Sequence, residues 1–225
     1  KIKDKVFSII SHDLNTPIQG LQLLFEHEGN PEEMIASLVE VLPELKNELR
    51  KTSDLFENLL YWAKMQIREA EVVTEQMDVG ELASRIKNSL NDKAKKKGVR
   101  IENQLSDTKI YGDKYILEIV LRNLVSNAIK FSGNEDKITI DGLQEKNAYV
   151  LKVTDNGVGI NEESIKKINS NSFYTSYGTQ NEKGTGLGLI ICRELIEKCN
   201  GYINIESAAG KGTAVSIYLP VMNAM

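Results

Sequence analysis

The chain has 225 residues, room for one large or two modest domains, and its 41% hydrophobic and 27% charged content is that of an ordinary globular protein rather than a disordered one. A net charge of -4 without a sustained basic stripe argues against nucleic acid as a partner. No apolar run approaches the roughly 20 residues of a spanning helix, and no signal peptide precedes the first helix, so no membrane contact is expected of this piece.

Residues 1–28 read as one helix. Ile2 and Val6 are already in phase with Ile9, so the chain opens inside a helical pattern, as a piece of a longer protein with a sensor or membrane part upstream would. Phe7, Ile10, Leu14, Pro17, Leu21 and Leu24 alternate in steps of three and four, the seam of a bundled helix. With Phe7 at position a, His12 falls at f and faces water. Asp13 follows it and suits a role in orienting the imidazole or accepting its proton, and Thr16 lies one turn on. Pro17 removes a backbone donor and bends the helix just past the histidine. Gly29-Asn30-Pro31 reads as a turn. A second helix then carries Leu38, Leu42, Leu45, Leu49, Phe56, Leu59 and Ala63 in the same rhythm, with Thr52 in one slot and Pro43 marking an irregular first part. A two-helix hairpin has too little interior to bury both stripes, and Leu55, Leu60 and Trp62 widen the apolar face. The pattern therefore predicts a four-helix bundle across a two-fold axis, hence a homodimer.

From Gln66 to Gln76 the rhythm lapses into charged residues, a linker. Asp78 and Glu81 resemble a capping box opening a new domain. A helix to Lys97 follows, with Lys93, Lys95, Lys96 and Lys97 read as its solvated end before Gly98. Then come a strand at 99–105, a helix at 113–131, strands at 137–143 and 148–155, and a loop-rich segment to Lys183. A helix at 187–200 and strands at 202–207 and 213–219, meeting around Gly210-Lys211-Gly212, complete the order. Strands grouped with helices outside a regular βαβ alternation imply an α/β sandwich with helices on one face of a mixed sheet, giving an α+β chain. Cys192 and Cys199 lie two turns apart, about 10 Å along a helix, too far for a disulfide, and read as reduced core residues of a cytoplasmic protein.

Four pieces of this second domain carry chemistry. Asn123 and Asn127 stand one turn apart with Lys130 and Phe131 following; amide oxygens suit Mg²⁺, and lysine suits phosphate. Asp155-Asn156-Gly157-Val158-Gly159 ends an apolar strand, where a carboxylate suits an exocyclic amine such as that of adenine and glycines allow close approach. Gly184-Thr185-Gly186-Leu187-Gly188 opens a helix, where free N–H groups and the dipole favour phosphate. It follows a long loop rather than a first strand, which argues against a Rossmann site. That loop, 161–183, includes Phe173 and sits between two candidate nucleotide turns, as a lid does. Each piece alone also fits a capped helix face or a plain turn; their order together is the signal.

Together the pieces resemble the catalytic core of sensor histidine kinases of two-component signalling, over nearly the whole chain. Ser11 to Pro17 is similar to that family's H box, Asn123 to Phe131 to its N box, Asp155 to Gly159 to its first glycine box, Phe173 to its F box and Gly184 to Gly188 to its second glycine box. The resemblance implies a Bergerat (GHKL) ATP-binding sandwich joined to a dimeric phosphoacceptor hairpin, with domains at 1–68 and 78–221, a linker at 69–77 and a tail at 222–225. It implies ATP and Mg²⁺ as cofactors, His12 as the phosphorylated residue with Asp13 as acid-base partner, Thr16 supporting dephosphorylation of the partner, and Asn127 holding Mg²⁺ beside Asn123. Lys130 would contact phosphate and Asp155 the adenine amine, with Phe131, Gly157, Gly159, Phe173, Gly184, Thr185, Gly186, Leu187 and Gly188 shaping the nucleotide site. The implied partners are a second copy of the chain and the receiver domain of a response regulator, in the cytoplasm. The F box, Phe173-Tyr174-Thr175-Ser176, lacks the proline common there. A GHKL ATPase of the topoisomerase or mismatch-repair kind would not require the His12 helix, and a catalytically weak dimeric scaffold would be expected to lack Asn127, Asp155 or the glycines, all of which are present.

Overall fold

The computed structural model describes residues 72–105, 108–170, 174–182 and 186–221, and helical backbone at positions 39, 42 and 46. The chain divides into two compact units, Lys1–Ala70 and Glu71–Met225. In the first unit Val39, Leu42 and Lys46 are helical, with Val39 and Leu42 exposed. The rest of the predicted hairpin and its bundle, including His12, Asp13 and Thr16, lies outside the described residues, as do Phe173, Gly184 and Thr185.

In the second unit, strand β1 (Glu75–Asp78) leads into helix α1 (Val79–Lys96), whose N-terminus Asp78 caps by accepting from the Glu81 N–H at 2.9 Å. Strands β2 (Arg100–Asn103) and β3 (Lys109–Gly112) precede helix α2 (Lys114–Phe131), capped by Asp113 through the amides of Tyr115 and Ile116. A hairpin of β4 (Lys137–Gln144) and β5 (Ala148–Asp155) follows, then helices α3 (Glu162–Asn169) and α4 (Gly188–Lys198) and a final pair, β6 (Tyr202–Ser207) and β7 (Thr213–Pro220).

The main sheet has the order β2-β4-β5-β7-β6, with β2 parallel to β4 and the other neighbours antiparallel; β1 and β3 form a separate antiparallel pair. Ile140, Val153, Val215 and Ile205 face one another across four strands, and α1, α2 and α4 pack onto the sheet. Eight apolar residues of α2, from Ile116 to Ile129, are buried. At about 1.5–3 kcal/mol for each fully buried large side chain, core burial rather than helix propensity holds this helix. The sheet runs out at its Asp155 edge into loops, and this edge carries the site.

Three features differ from the sequence reading. The segment 161–183, read as loop, contains α3; its apolar residues are too few to show a period, and it is held by the Asn161 cap on the Ser164 amide (2.8 Å), acidic residues in its first turn and the Glu163–Lys167 pair. Residues 75–77, read as the end of the linker, belong to β1; β1 and β3 are four residues each, with Met77 and Ile110 buried as cross-strand partners, and such short strands show no alternation. Lys97, read as solvated, is 7% exposed. Cys192 and Cys199 are free thiols, and burial pushes them up to about 12 and about 11.

Candidate nucleotide site

Asp155 ends β5, the middle strand of the sheet, paired with Ile138 on one side and Thr213 on the other. Its Oδ1 accepts from the Gly157 N–H at 2.9 Å and the Thr213 N–H at 3.3 Å, and the residue is 6% exposed. Burial, with the charge of Asp136 nearby, pushes its carboxyl up to about 6 against the two amide hydrogen bonds that act to lower it. A carboxylate thus oriented suits an acceptor role toward an amine donor. Gly159, with φ +65°, turns the chain tightly: a Cβ there would strike the carbonyl of Ala208.

Asn123, Asn127 and Lys130 occupy one side of α2, half-exposed. The Asn127 amide donates to Asn123 Oδ1 at 2.9 Å, which fixes the pair's orientation. Lys130 Nζ donates to the Ser176 carbonyl at 2.9 Å and stands 4.6 Å from the Phe131 ring centroid.

Backbone contacts join the pieces. The Val158 N–H donates to the Phe131 carbonyl at 3.1 Å, so the loop after Asp155 is tied to the last turn of α2. A Cβ on Gly188, the first residue of α4, would lie 2.6 and 2.7 Å from the Asn123 amide atoms, so glycine lets α4 start against Asn123 without displacing that amide. Gly186, in a left-handed turn, and buried Leu187 lead into that start. The N box, first glycine box and the described part of the second thus form one constellation.

Sequence reasoning missed a turn-closing pair and a buried lysine. Thr213 and Ser207 close the Asp155 turn: Ser207 Oγ donates to the Gly212 carbonyl at 2.7 Å and accepts from the Ile160 N–H at 2.8 Å. Their signal was the Gly210-Lys211-Gly212-Thr213 stretch, read only as a hairpin turn. Lys97 is the other: its Nζ donates to the carbonyls of Ile129 (3.0 Å) and Lys130 (2.8 Å) and to Glu182 (2.8 Å). Burial acts to raise the Glu182 carboxyl, but the hydrogen bonds from Lys97 and from backbone amides outweigh it and hold it below the usual value. Among the described residues no cluster of three or more His, Cys, Asp or Glu could hold a metal ion. A cation here would draw on amide oxygens, water and the ligand's own oxygens.

A mixed sheet with helices on one face, a buried carboxylate at the end of its middle strand, and an asparagine-lysine helix beside glycine turns accompany a family match: residues 112–223 match the histidine kinase-, DNA gyrase B-, and HSP90-like ATPases, whose domains bind ATP. The chain as a whole is homologous to sensor histidine kinases of two-component signalling. It is 30% identical over 228 residues to the sensor protein SrrB of Staphylococcus aureus, covering 98% of this chain and 38% of SrrB. It is 28% identical over 206 residues to the sensor histidine kinase YxdK of Bacillus subtilis, covering 91% of this chain and 61% of YxdK. The chain therefore spans less than two thirds of either relative. The fold matches that of the histidine kinase ThkA, solved in complex with the response regulator protein TrrA, with a TM-score of 0.71 at 23% identity over 98% of this chain and 61% of that one. No helix of the described residues is long and apolar enough to cross a membrane.

Proposed function

We propose that the chain is the catalytic core of a cytoplasmic protein-histidine kinase that uses ATP to phosphorylate His12 and passes the phosphoryl group to an aspartate of a response regulator. The observation that carries this reading is the junction at the Phe131 carbonyl, where the loop after Asp155 meets the helix bearing Asn123, Asn127 and Lys130 (Val158 N–H to Phe131 O, 3.1 Å). It supports reading Asp155 and the Asn123–Lys130 face as the adenine and phosphate ends of one site.

In this reading Asp155 accepts from the adenine amine, and Gly157 and Gly159 let the base approach the backbone. Lys130 exchanges the Ser176 carbonyl for phosphate oxygens. Gly184, Thr185, Gly186, Leu187 and Gly188 line the phosphate side, and Phe131 and Phe173 flank it. The Asn127 amide oxygen fits Mg²⁺, with Asn123 holding it in place, and Mg²⁺ when bound neutralises charge on the phosphate oxygens. The neutral imidazole of His12 attacks the γ-phosphorus. A nitrogen–phosphorus bond forms, the bond to the bridging oxygen breaks, ADP leaves, and the ring proton passes to Asp13. Thr16 supports removal of phosphate from the regulator. Helices 1–68 pair with a second copy as a four-helix bundle, which would cover side chains such as Leu42, 54% exposed in the single chain. The stretch from residue 69 up to the start of β1 at Glu75 links the bundle to the ATP domain, which runs to 221 before a tail at 222–225. The ThkA–TrrA complex supports a receiver domain as the partner.

The test is incubation with γ-labelled ATP and Mg²⁺ beside His12→Gln. Acid-labile, alkali-stable label in the unaltered chain and none in the variant is expected. ATP binding without any label would overturn the kinase reading.

A further inference from the structure

Lys97 and Glu182 are the buried ion pair that the phosphoryl-transfer reading leaves unused. Lys97 is the C-cap of α1, far in sequence from every motif above, and its side chain is 5% exposed against 29% for Glu182. A lysine this buried is rare unless its three donors are satisfied, and here they are: the Ile129 carbonyl, the Lys130 carbonyl and Glu182 Oε1. Two of these are the unpaired carbonyls that the last turn of α2 leaves over, where a cation also meets the negative end of the helix dipole.

The same last turn receives the segment 174–182. Thr179 N–H donates to the Lys130 carbonyl at 3.1 Å and Thr179 Oγ1 to the Ser132 carbonyl at 2.6 Å. Glu182 Oε2 accepts from the Gln180 N–H and the Glu182 carbonyl from the Gly178 N–H, both at 2.8 Å, closing the segment on itself. A Cβ on Gly178 would lie 2.7 Å from both the Lys130 carbonyl and Lys130 Cγ, so the segment rests directly on Lys130. Its Ser176 carbonyl in turn holds Lys130 Nζ. One ammonium therefore ties together the turn that carries Lys130 and the segment that positions it.

We infer that Lys97, acting through Glu182, is a positioning residue that fixes segment 174–182 over Lys130, so that affinity for the phosphates of a nucleotide depends on a side chain that touches no nucleotide. The inference rests on the ATP-site reading above, and it separates the two ends of the ligand: the phosphates depend on the clamp, the adenine held by Asp155 does not.

The experiment is calorimetric titration of the full chain with ATP and Mg²⁺, and separately with adenosine, for the unaltered protein, Lys97→Met, Glu182→Gln and the double variant. Glu182→Gln leaves Lys97 on the α2 carbonyls and offers one acceptor where two donors converge, so it carries the test even where Lys97→Met melts early. Each single variant is expected to weaken ATP about tenfold, the double no more than Lys97→Met alone, with adenosine affinity unchanged. Unchanged ATP affinity in Glu182→Gln, additive losses, or adenosine weakening in step with ATP would each overturn the clamp. An unaltered chain that binds neither ATP nor adenosine would overturn the nucleotide reading and the clamp with it, whereas ATP binding by the unaltered chain separates the two questions.

Discussion

The two ends of the candidate site are built by different means. At the Asp155 end the geometry comes from main-chain register: β5 pairs with β7 at Asp155 and Thr213, and the carboxylate is aimed by amides of Gly157 and Thr213. At the other end Asn123, Asn127 and Lys130 stand on a single helix and are oriented by one another, by Gly188 and by the Ser176 carbonyl. Sheet register cannot slip by even one residue without turning every side chain over, whereas side-chain contacts can be exchanged singly. In the proposed reading the first end is therefore fixed before ligand arrives, and the second trades protein partners for ligand oxygens.

The comparison breaks first at Asp155. In Asp155→Asn an amide N–H₂ competes with the adenine amine for the same place, and a buried donor facing a donor has no compensation. ATP and adenosine should both lose at least about 100-fold in affinity by calorimetry. Asn127→Ala sharpens the contrast: ATP with Mg²⁺ should weaken about tenfold, or about 1.4 kcal/mol, while adenosine is unaffected. Equal losses for the two ligands in Asn127→Ala would mean that the ends are not separate.

Two glycines test the same division through the backbone. An alanine at 188 meets the far end of the Asn123 side chain, which can turn aside. Gly188→Ala should melt near the parent temperature yet weaken ATP about fivefold through a displaced Asn123. Gly159→Ala instead forces a side chain into φ +65° and onto the Ala208 carbonyl. It should cost about 1–2 kcal/mol in unfolding free energy from the left-handed conformation alone, read in urea titrations.

Much of this was legible in the sequence. Eight buried apolar positions gave α2 its period, and the one-turn spacing of Asn123 and Asn127 put both amides on one side of it. Alternation marked β4 and β5, and so the end of β5 where Asp155 sits. What was illegible depended on contacts distant in sequence. Lys97 sits among Lys93, Lys95 and Lys96, and nothing local distinguishes the one whose partners are residues 129, 130 and 182. Thr213 reaches Asp155 across 58 positions through strand pairing that no local period reports. Helix α3 was missed because its signals are caps and charges, which stabilise a helix without repeating along it.

The smallest effect is one of pH, and it sets binding and stability against each other in one residue. The Asp155 carboxyl, held at about 6 by burial against an ordinary 3.8, is in the proposed reading the group that must be ionised to accept from adenine. At pH 5.5 about a quarter of it is ionised, so nucleotide affinity should fall about fourfold from its value at pH 7.5. Stability runs the other way. Because the folded-state pKa lies above the unfolded one, the neutral group's contribution to the unliganded fold is fully present below pH 3.8 and is lost as pH rises through 6, about 3 kcal/mol over the window. Asp155→Asn should abolish both trends, leaving stability flat in this group's range and higher than the parent's above pH 6. A parent protein whose adenosine affinity is constant from pH 7.5 to 5.5 would mean that the buried carboxylate is not the adenine acceptor, and the fixed end of the site would have to be sought elsewhere.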